Sequence, residues 1–312
     1  MKRVLTVTLN PAVDRMVEIP EFTAGKSYVK GPEHVSAGGK GINVSRALKC
    51  LNVPSMATGI LGGCSGRVTI LKMLRKERMA QDFYKFGGYS RTSLTVIDPV
   101  LGRATQILEE GPKITAEQLA GFKEKFQQQL PKSNYVAIAG RNARGVSDRF
   151  YAELISMAAQ LQVPVLLDTH GPALAYGIKA GPAVVTPNLQ EAQKVAGRRL
   201  SSHSDLKYAL KFLADLGAQS AVITLGEDGA VGFSGGEMMF TEIPAIKPYN
   251  VVGCGDAFNA GLIAALLEGR GFALAMRSAA ACATASALTV TPGNFEQEEY
   301  QRVFKRTKVR KF

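Results

Sequence analysis

The chain has 312 residues, 46% of them apolar and 21% charged, with a formal excess of twelve positive charges. Such a length and composition fit a soluble globular protein, either one large α/β domain with a small appendage or two modest domains. No run of about 20 uninterrupted apolar residues occurs and the N-terminus lacks a signal-peptide core, which excludes a membrane span and points to a cytoplasmic protein.

The first residues, Lys2 to Asn10, alternate like a strand, and Asn10-Pro11-Ala12-Val13-Asp14 makes a turn leading into short alternating segments as far as Val35. The glycine-rich stretch Ala37–Asn43 then opens a helix whose apolar spacing runs through Val44, Ala47, Leu48 and Leu51. Met56–Leu61 reads as a strand and Val68–Arg78 as a helix. Thr92–Asp98 and Arg103–Leu108 alternate around a Pro-Val-Leu-Gly turn and predict a hairpin. From Thr115 onward the pattern is regular. Helices are predicted over Ala116–Gln129, Asp148–Leu161, Leu189–Ala196 and Leu206–Leu216, and strands over Tyr135–Ala139, Val165–Asp168, Ala183–Thr186 and Ala221–Leu225. A hairpin is expected over Ala230–Glu242, turning at Gly235-Gly236. Strands alternating with amphipathic helices imply a doubly wound, mostly parallel sheet flanked by helices, with ligands beyond the carboxyl ends of its strands. The segments that do not follow this rhythm would form a small β-sheet of their own. Residues 1–10, 36–88 and 111–312 are thus assigned to the α/β core, and 11–35 and 89–110 to a β-sheet lid.

Near the C-terminal end, Gly253-Cys254-Gly255-Asp256 precedes an Ala/Leu-rich helix expected to begin at about Asp256. Glycines admit close backbone approach, and the N–H groups of a helix start favour an anion, most often phosphate. A carboxylate in a phosphate cradle repels its ligand. It makes chemical sense as a base taking a proton from an attacking hydroxyl, or more simply as a helix N-cap. At such a position it should stay ionised at neutral pH, with a bound phosphate pushing its pKa back up. Gly38-Gly39-Lys40-Gly41 lacks P-loop spacing, yet Lys40 at a helix start opposes the helix dipole and invites a functional reason.

The positive excess admits nucleic acid or an anionic substrate as partner. Part of it lies in Lys305, Arg306, Lys308, Arg310 and Lys311, read as a solvated helix end. No RNA-binding or zinc-finger signature accompanies it, so phosphorylated small molecules are favoured over nucleic acid. Cys50, Cys64, Cys254 and Cys282 form no C-x-x-C pair, and are read as buried small hydrophobes rather than a disulfide or zinc framework. Cys254 is a candidate reactive thiol if the helix terminus lowers its pKa. The three histidines stand far apart in sequence, which argues against a His-centred triad.

The two glycine-rich turns in this order, with the detached sheet, resemble the ribokinase-like PfkB carbohydrate kinase family, and within it the hexose-phosphate kinases acting on fructose 1-phosphate or tagatose 6-phosphate. The resemblance runs from Leu5 to about Ala287 and includes Thr8–Asp14, Ala37–Asn43, Ser90-Arg91-Thr92, Gln106–Pro112, Pro187-Asn188-x-x-Glu191, Thr224-Leu225-Gly226 and Gly253–Asp256. It implies an ATP- and Mg²⁺-dependent kinase with Asp256 as general base, and Gly253, Cys254 and Gly255 as the anion hole. Asp14, Gly38, Gly39 and Asn43 are similar to sugar-binding residues. Lys40, Arg91 and Arg141 would meet a phosphate already on the substrate. Asn188, Glu191, Thr224, Gly226 and Gly229 would line the nucleotide, with Glu191 reaching the metal through water. The small sheet would cover the sugar and could carry a homodimer contact.

Simpler roles compete. Asp14 suits a turn, Arg91 a surface ion pair, and Asn188 with Glu191 a capping box. A kinase for an unphosphorylated sugar or nucleoside, or a ligand-binding relative with weak transfer, are the alternatives. The chain also departs from the family. Ala139-Gly140-Arg141 replaces Ser-Gly-Ser, Thr186 replaces a Lys, Val251 stands where Ser or Thr is usual, and Gly88-Tyr89-Ser90-Arg91 replaces Gly-Glu-Thr-Arg. Thr105–Pro112 looks more like the tagatose-6-phosphate kinases.

Overall fold

The computed structural model describes residues 2–312. The chain begins with β1 (Val4–Thr8), β2 (Ala12–Glu18) and β3 (Glu33–Gly38), and α1 (Lys40–Cys50) follows after one residue. Next come β4 (Ser55–Leu61), α2 (Cys64–Lys76), β5 (Gln81–Lys85), and the hairpin β6 (Arg91–Asp98) and β7 (Arg103–Leu108). Helix–strand alternation then sets in, with α3 (Ala116–Gln129), β8 (Tyr135–Ala139), α4 (Phe150–Gln160), β9 (Val165–Asp168), α5 (Gly171–Lys179), β10 (Val184–Val185), α6 (Leu189–Ala196), α7 (His203–Asp215) and β11 (Ser220–Thr224). The chain closes with β12 (Ala230–Ser234), β13 (Glu237–Glu242), α8 (Cys254–Leu267), α9 (Phe272–Ser286), α10 (Gln297–Arg306) and β14 (Lys308–Lys311).

Ten strands make one sheet, ordered β14-β13-β12-β11-β10-β9-β8-β1-β4-β5. From β11 to β5 every pairing is parallel, and β12, β13 and β14 add an antiparallel edge. The parallel strands are apolar runs, as two covered faces require: β1 and β8 are buried at every position. On one face Phe122 of α3 packs at a tilt against Phe126 and against Phe150 of α4, and Leu174 of α5 and Leu210 of α7 extend the same core. On the other, α1, α8, α9 and α10 pack through Val44, Leu48, Leu262, Ile263, Met276 and Tyr300. Strand order reverses at β1, since β4 and β5 lie on one side of it and β8 to β14 on the other. Such a reversal opens a crevice at the strands' carboxyl ends, the usual place for a ligand in an open α/β sheet.

A second sheet, ordered β3-β2-β6-β7, stands apart from the first. Its α2-facing side buries Val13 and Ala37 against Ile70 and Leu74, whereas β7 is exposed at every residue. The Asp98 carboxylate closes one end, accepting main-chain N–H groups from Glu21, Phe22, Val100 and Leu101 at 2.9–3.2 Å.

Several expectations need correction. Helix α8 begins at Cys254, because Gly253 at φ +83° is its N-cap and Asp256 is already inside the first turn. The basic tail is only partly a helix end. Lys305 and Arg306 finish α10, but Lys308–Lys311 form β14, which pairs with β13 and completes the sheet. Strand β5 and helices α5, α9 and α10 were not expected from the sequence. α9 is small-residue-rich and buried on most sides, so it shows no amphipathic stripe, and α5 starts on a Gly-Pro pair that resembles a break until Pro172 is seen in its first turn. No helix among the described residues is long and apolar enough to cross a membrane.

Candidate active site

A cavity of about 550 Å³ lies at the crevice beside β1. Its floor is built by helix starts from both halves of the sequence. Lys40, Gly39 and Asn43 come from the turn into α1, and Gly253, Gly255 and Asp256 from the turn into α8. The small sheet supplies Asp14 from β2 and Arg91 from β6, and the loop after β8 supplies Arg141. Asn188 also reaches the lining.

The Asp256 carboxylate is buried, and its Oδ2 accepts a 2.8 Å hydrogen bond from Asn43 Nδ2. Burial pushes its pKa from an ordinary 3.8 up to about 7, with the neighbouring Asp168 and Asp14 charges adding to the rise while Lys40 and the Asn43 amide oppose it. This replaces the expectation of a fully ionised carboxylate: Asp256 sits where it can exchange a proton near neutral pH. It caps no helix terminus, so the simple capping role is not the one it fills.

Lys40 donates to Asp168 Oδ1 at 2.8 Å, and the other oxygen of Asp168 accepts from Asn259 Nδ2 at 2.7 Å. Burial lowers the Lys40 pKa, but the facing Asp168 and Asp256 carboxylates outweigh that and hold it above the ordinary lysine range. Asp168 is the last residue of β9. The fold brings it 128 positions across to Lys40, a pairing that no local signal could announce.

Asp14 is half-buried. Burial lifts its carboxyl to about 6 against the pull of Arg91, Arg46 and Ser93. A Cβ on Gly38 would lie 2.0 Å from the Asp14 carboxyl, so glycine there is what lets the carboxylate stand where it does. Arg91 Nε donates to Asn10 O at 3.0 Å and Nη1 to Glu109 O at 3.3 Å, so Arg91 makes no mere surface ion pair. Arg141 Nη2 donates to that same Glu109 oxygen at 3.0 Å. Two guanidinium groups therefore converge on one main-chain carbonyl, and burial together with the Arg141 charge holds the Arg91 pKa below its usual value.

A second, narrower cavity of about 130 Å³ adjoins through Gly255. Thr224, Gly226, Gly229 and Cys254 line it beside Phe258, Ala283 and Ile243. Burial, with the Asp256 charge behind it, raises the Cys254 thiol to about 12, so the reactive-thiol expectation is overturned. Cys64 is exposed rather than a buried small hydrophobe. Asn188 and Glu191 form a reciprocal capping box at the start of α6, each bond 2.9 Å, and Glu191 lines neither cavity. Gly38 likewise lies behind the first cavity, supporting Asp14. Sequence reasoning passed over Asn10, Ser93, Gln106 and His170, which also line the larger cavity.

The fold is that of a ribokinase-like carbohydrate kinase. The model of the pfkB family carbohydrate kinases matches residues 8–298, and the chain belongs to that family. Two solved structures are each 26% identical to it, with 99% of both chains covered. One, from Staphylococcus aureus and provisionally named a phosphofructokinase, superposes with a TM-score of 0.82. The other, from Thermotoga maritima and provisionally named a 1-phosphofructokinase, gives 0.88. Arabidopsis thaliana ribokinase, solved with ribose and ATP, matches at 20% identity over 98% of this chain and 99% of its own, with a TM-score of 0.75, and shares the fold.

Proposed function

We propose that this carbohydrate kinase transfers the γ-phosphoryl group of ATP to a hydroxyl of a ketohexose monophosphate, fructose 1-phosphate or tagatose 6-phosphate, giving the bisphosphate. The observation that carries this reading is the convergence of Arg91 and Arg141 on Glu109 O at the wall of the cavity. The Asp14 and Glu109 carboxylates offset the charge of Arg91 in part, and two planar guanidinium forks at one wall suit a further anion such as phosphate. Lys40 is a weaker candidate for that clamp, since Asp168 already balances its charge.

In this reading the hydroxyl of the bound sugar gives its proton to Asp256 as its oxygen attacks the γ-phosphorus, and ADP leaves. A base with a pKa near 7 is well matched to that task at neutral pH. The N–H groups of Gly253, Cys254 and Gly255, at the start of α8, would face the transferring phosphoryl group, and Lys40 would add positive charge from α1. Asp14 and Asn43 would hold sugar hydroxyls. Thr224, Gly226 and Gly229 would flank the nucleotide in the narrower cavity.

Among the described residues no group of three or more His, Cys, Asp or Glu side chains is arranged to hold a metal ion. That suits Mg²⁺, which is commonly held by one or two carboxylates, water and nucleotide phosphates. Only Oε2 of Glu191 is used by the capping box, which leaves its other oxygen to hold such an ion through water. When bound, the ion would neutralise charge on the phosphates. The small sheet would act as a lid and dimer contact, supported by the exposed Ile107 and Leu108 on β7. Four free cysteines suit a cytoplasmic setting. ADP formation measured with fructose 1-phosphate, tagatose 6-phosphate, fructose 6-phosphate and fructose tests the assignment. A phosphorylated ketohexose should be the best acceptor, and unmodified fructose as the best would refute it.

A further inference from the structure

Arg46 is buried in α1, one turn beyond the cavity, and lines neither of the two cavities described above. Its five N–H donors are distributed over four segments of the chain. Nη2 donates to Ala37 O at 2.7 Å on β3 and to Glu77 at the end of α2, while Nη1 donates to Pro292 O at 2.9 Å and to Asn43 Oδ1 at 2.8 Å. A guanidinium has no acceptor and cannot lose its proton at ordinary pH, so the atom of Asn43 that faces it must be the amide oxygen. The amide nitrogen is then turned the other way, toward Asp256. Were the amide reversed, two N–H donors would meet at Arg46 and two oxygens at Asp256.

We propose that Arg46 is a positioning residue for the proposed base: it fixes the orientation of the Asn43 amide, so that Asp256 always receives a donor. The inference rests on the reading of Asp256 as the base. A donor to a carboxylate favours its ionised form, the form that can accept the hydroxyl proton. The other charged groups facing Asp256 are Lys40 of α1, which also favours ionisation, and Asp168 of β9 and Asp14 of β2, which oppose it. None of these orients the Asn43 amide. The same side chain ties α1 to Pro292, whose ring would lie 2.6 Å from a Cβ on Gly253, so Arg46 also braces the loop behind the anion turn.

The test is the pH dependence of kcat in Arg46→Lys, whose single ammonium cannot serve all four partners. Losing a charge-assisted hydrogen bond should move the acid limb upward by about one pH unit. Asn43→Leu should give the same displacement, and adding Arg46→Lys to it should give no further one, because Arg46 acts through Asn43. If Arg46→Lys does not fold, Arg46→Met with Glu77→Met removes the buried pair together, leaves no unpaired charge, and should show the same limb. An acid limb that stays in place while kcat falls equally at all pH values would overturn the proposal and leave Arg46 a scaffold residue. Asp256→Asn distinguishes this from failure of the underlying reading. Full turnover in that variant removes the base itself, whereas loss of turnover with an unmoved limb in Arg46→Lys removes only the role of Arg46.

Discussion

Replacing Asp256 by Asn separates what this carboxylate costs the fold from what it gives the reaction. The carboxyl is buried among Asp168 and Asp14, and its pKa stands about three pH units above its ordinary value of 3.8, at about 7. Because the folded state holds the proton more tightly than the unfolded chain, stability falls as pH rises from near 4 to near 7. At about 1.4 kcal/mol per pH unit the full cost is about 4 kcal/mol above neutrality, an upper bound. Asparagine keeps an oxygen for Asn43 but loses the attraction of Lys40, so a net gain of about 1–3 kcal/mol is expected at pH 8. Comparing variant with wild type in denaturant melts across this range cancels the titrating groups that do not interact with Asp256. The difference should be smallest near pH 4 and reach a plateau above pH 7. Turnover should meanwhile fall by about 10²- to 10⁴-fold. A variant of undiminished activity, or one whose stability difference does not grow with pH, would refute the reasoning.

Arg141→Ala and Arg91→Ala should each raise KM for the phosphorylated sugar by about 10- to 100-fold and leave KM for ATP nearly unchanged, as steady-state kinetics would read. Equal loss toward fructose would remove the clamp. Gly253→Ala would place a Cβ 2.6 Å from the Pro292 ring and 2.8 Å from Gly293 N at a φ of +83°, displacing the turn into α8 and lowering kcat by about 10²-fold, with sugar binding little affected. In the small sheet, Asp98→Ala removes the acceptor for four main-chain N–H groups. Limited proteolysis should then cut the segment between residues 20 and 32 faster than in the wild type, and an unchanged digestion rate would show that other contacts hold that loop.

Much of the α/β frame was legible because its parallel strands are short apolar runs between amphipathic helices, and α3, β8, β9 and α6 fall on the residues expected. The two glycine-rich turns were legible for a different reason: glycine beside a helix start is a local signal of close approach. What stayed hidden was long-range or came from burial. The Lys40–Asp168 pair spans 128 positions, and nothing around Asp168 distinguishes it from any acid at a strand end. Cys254 was a candidate reactive thiol only on condition that the helix start lowered its pKa, and burial with the Asp256 charge raises it instead. Asp256 itself moved in the same direction for the same cause. Helix α9 escaped because burial on most sides erases the amphipathic stripe that sequence reading depends on.

The charges of the crevice are sorted by depth. Asp168 and Asp256 lie buried beside the half-exposed Lys40, whereas Asp14, Arg91 and Arg141 stand partly open to solvent on the wall, in a chain whose overall charge is strongly positive. The proposed substrate, a sugar bearing a phosphate at one end, would thus meet a field with a direction. On the proposed function, its charged end would be held at the wall by the arginines, so the molecule would enter hydroxyl first and deliver its uncharged end to the acids.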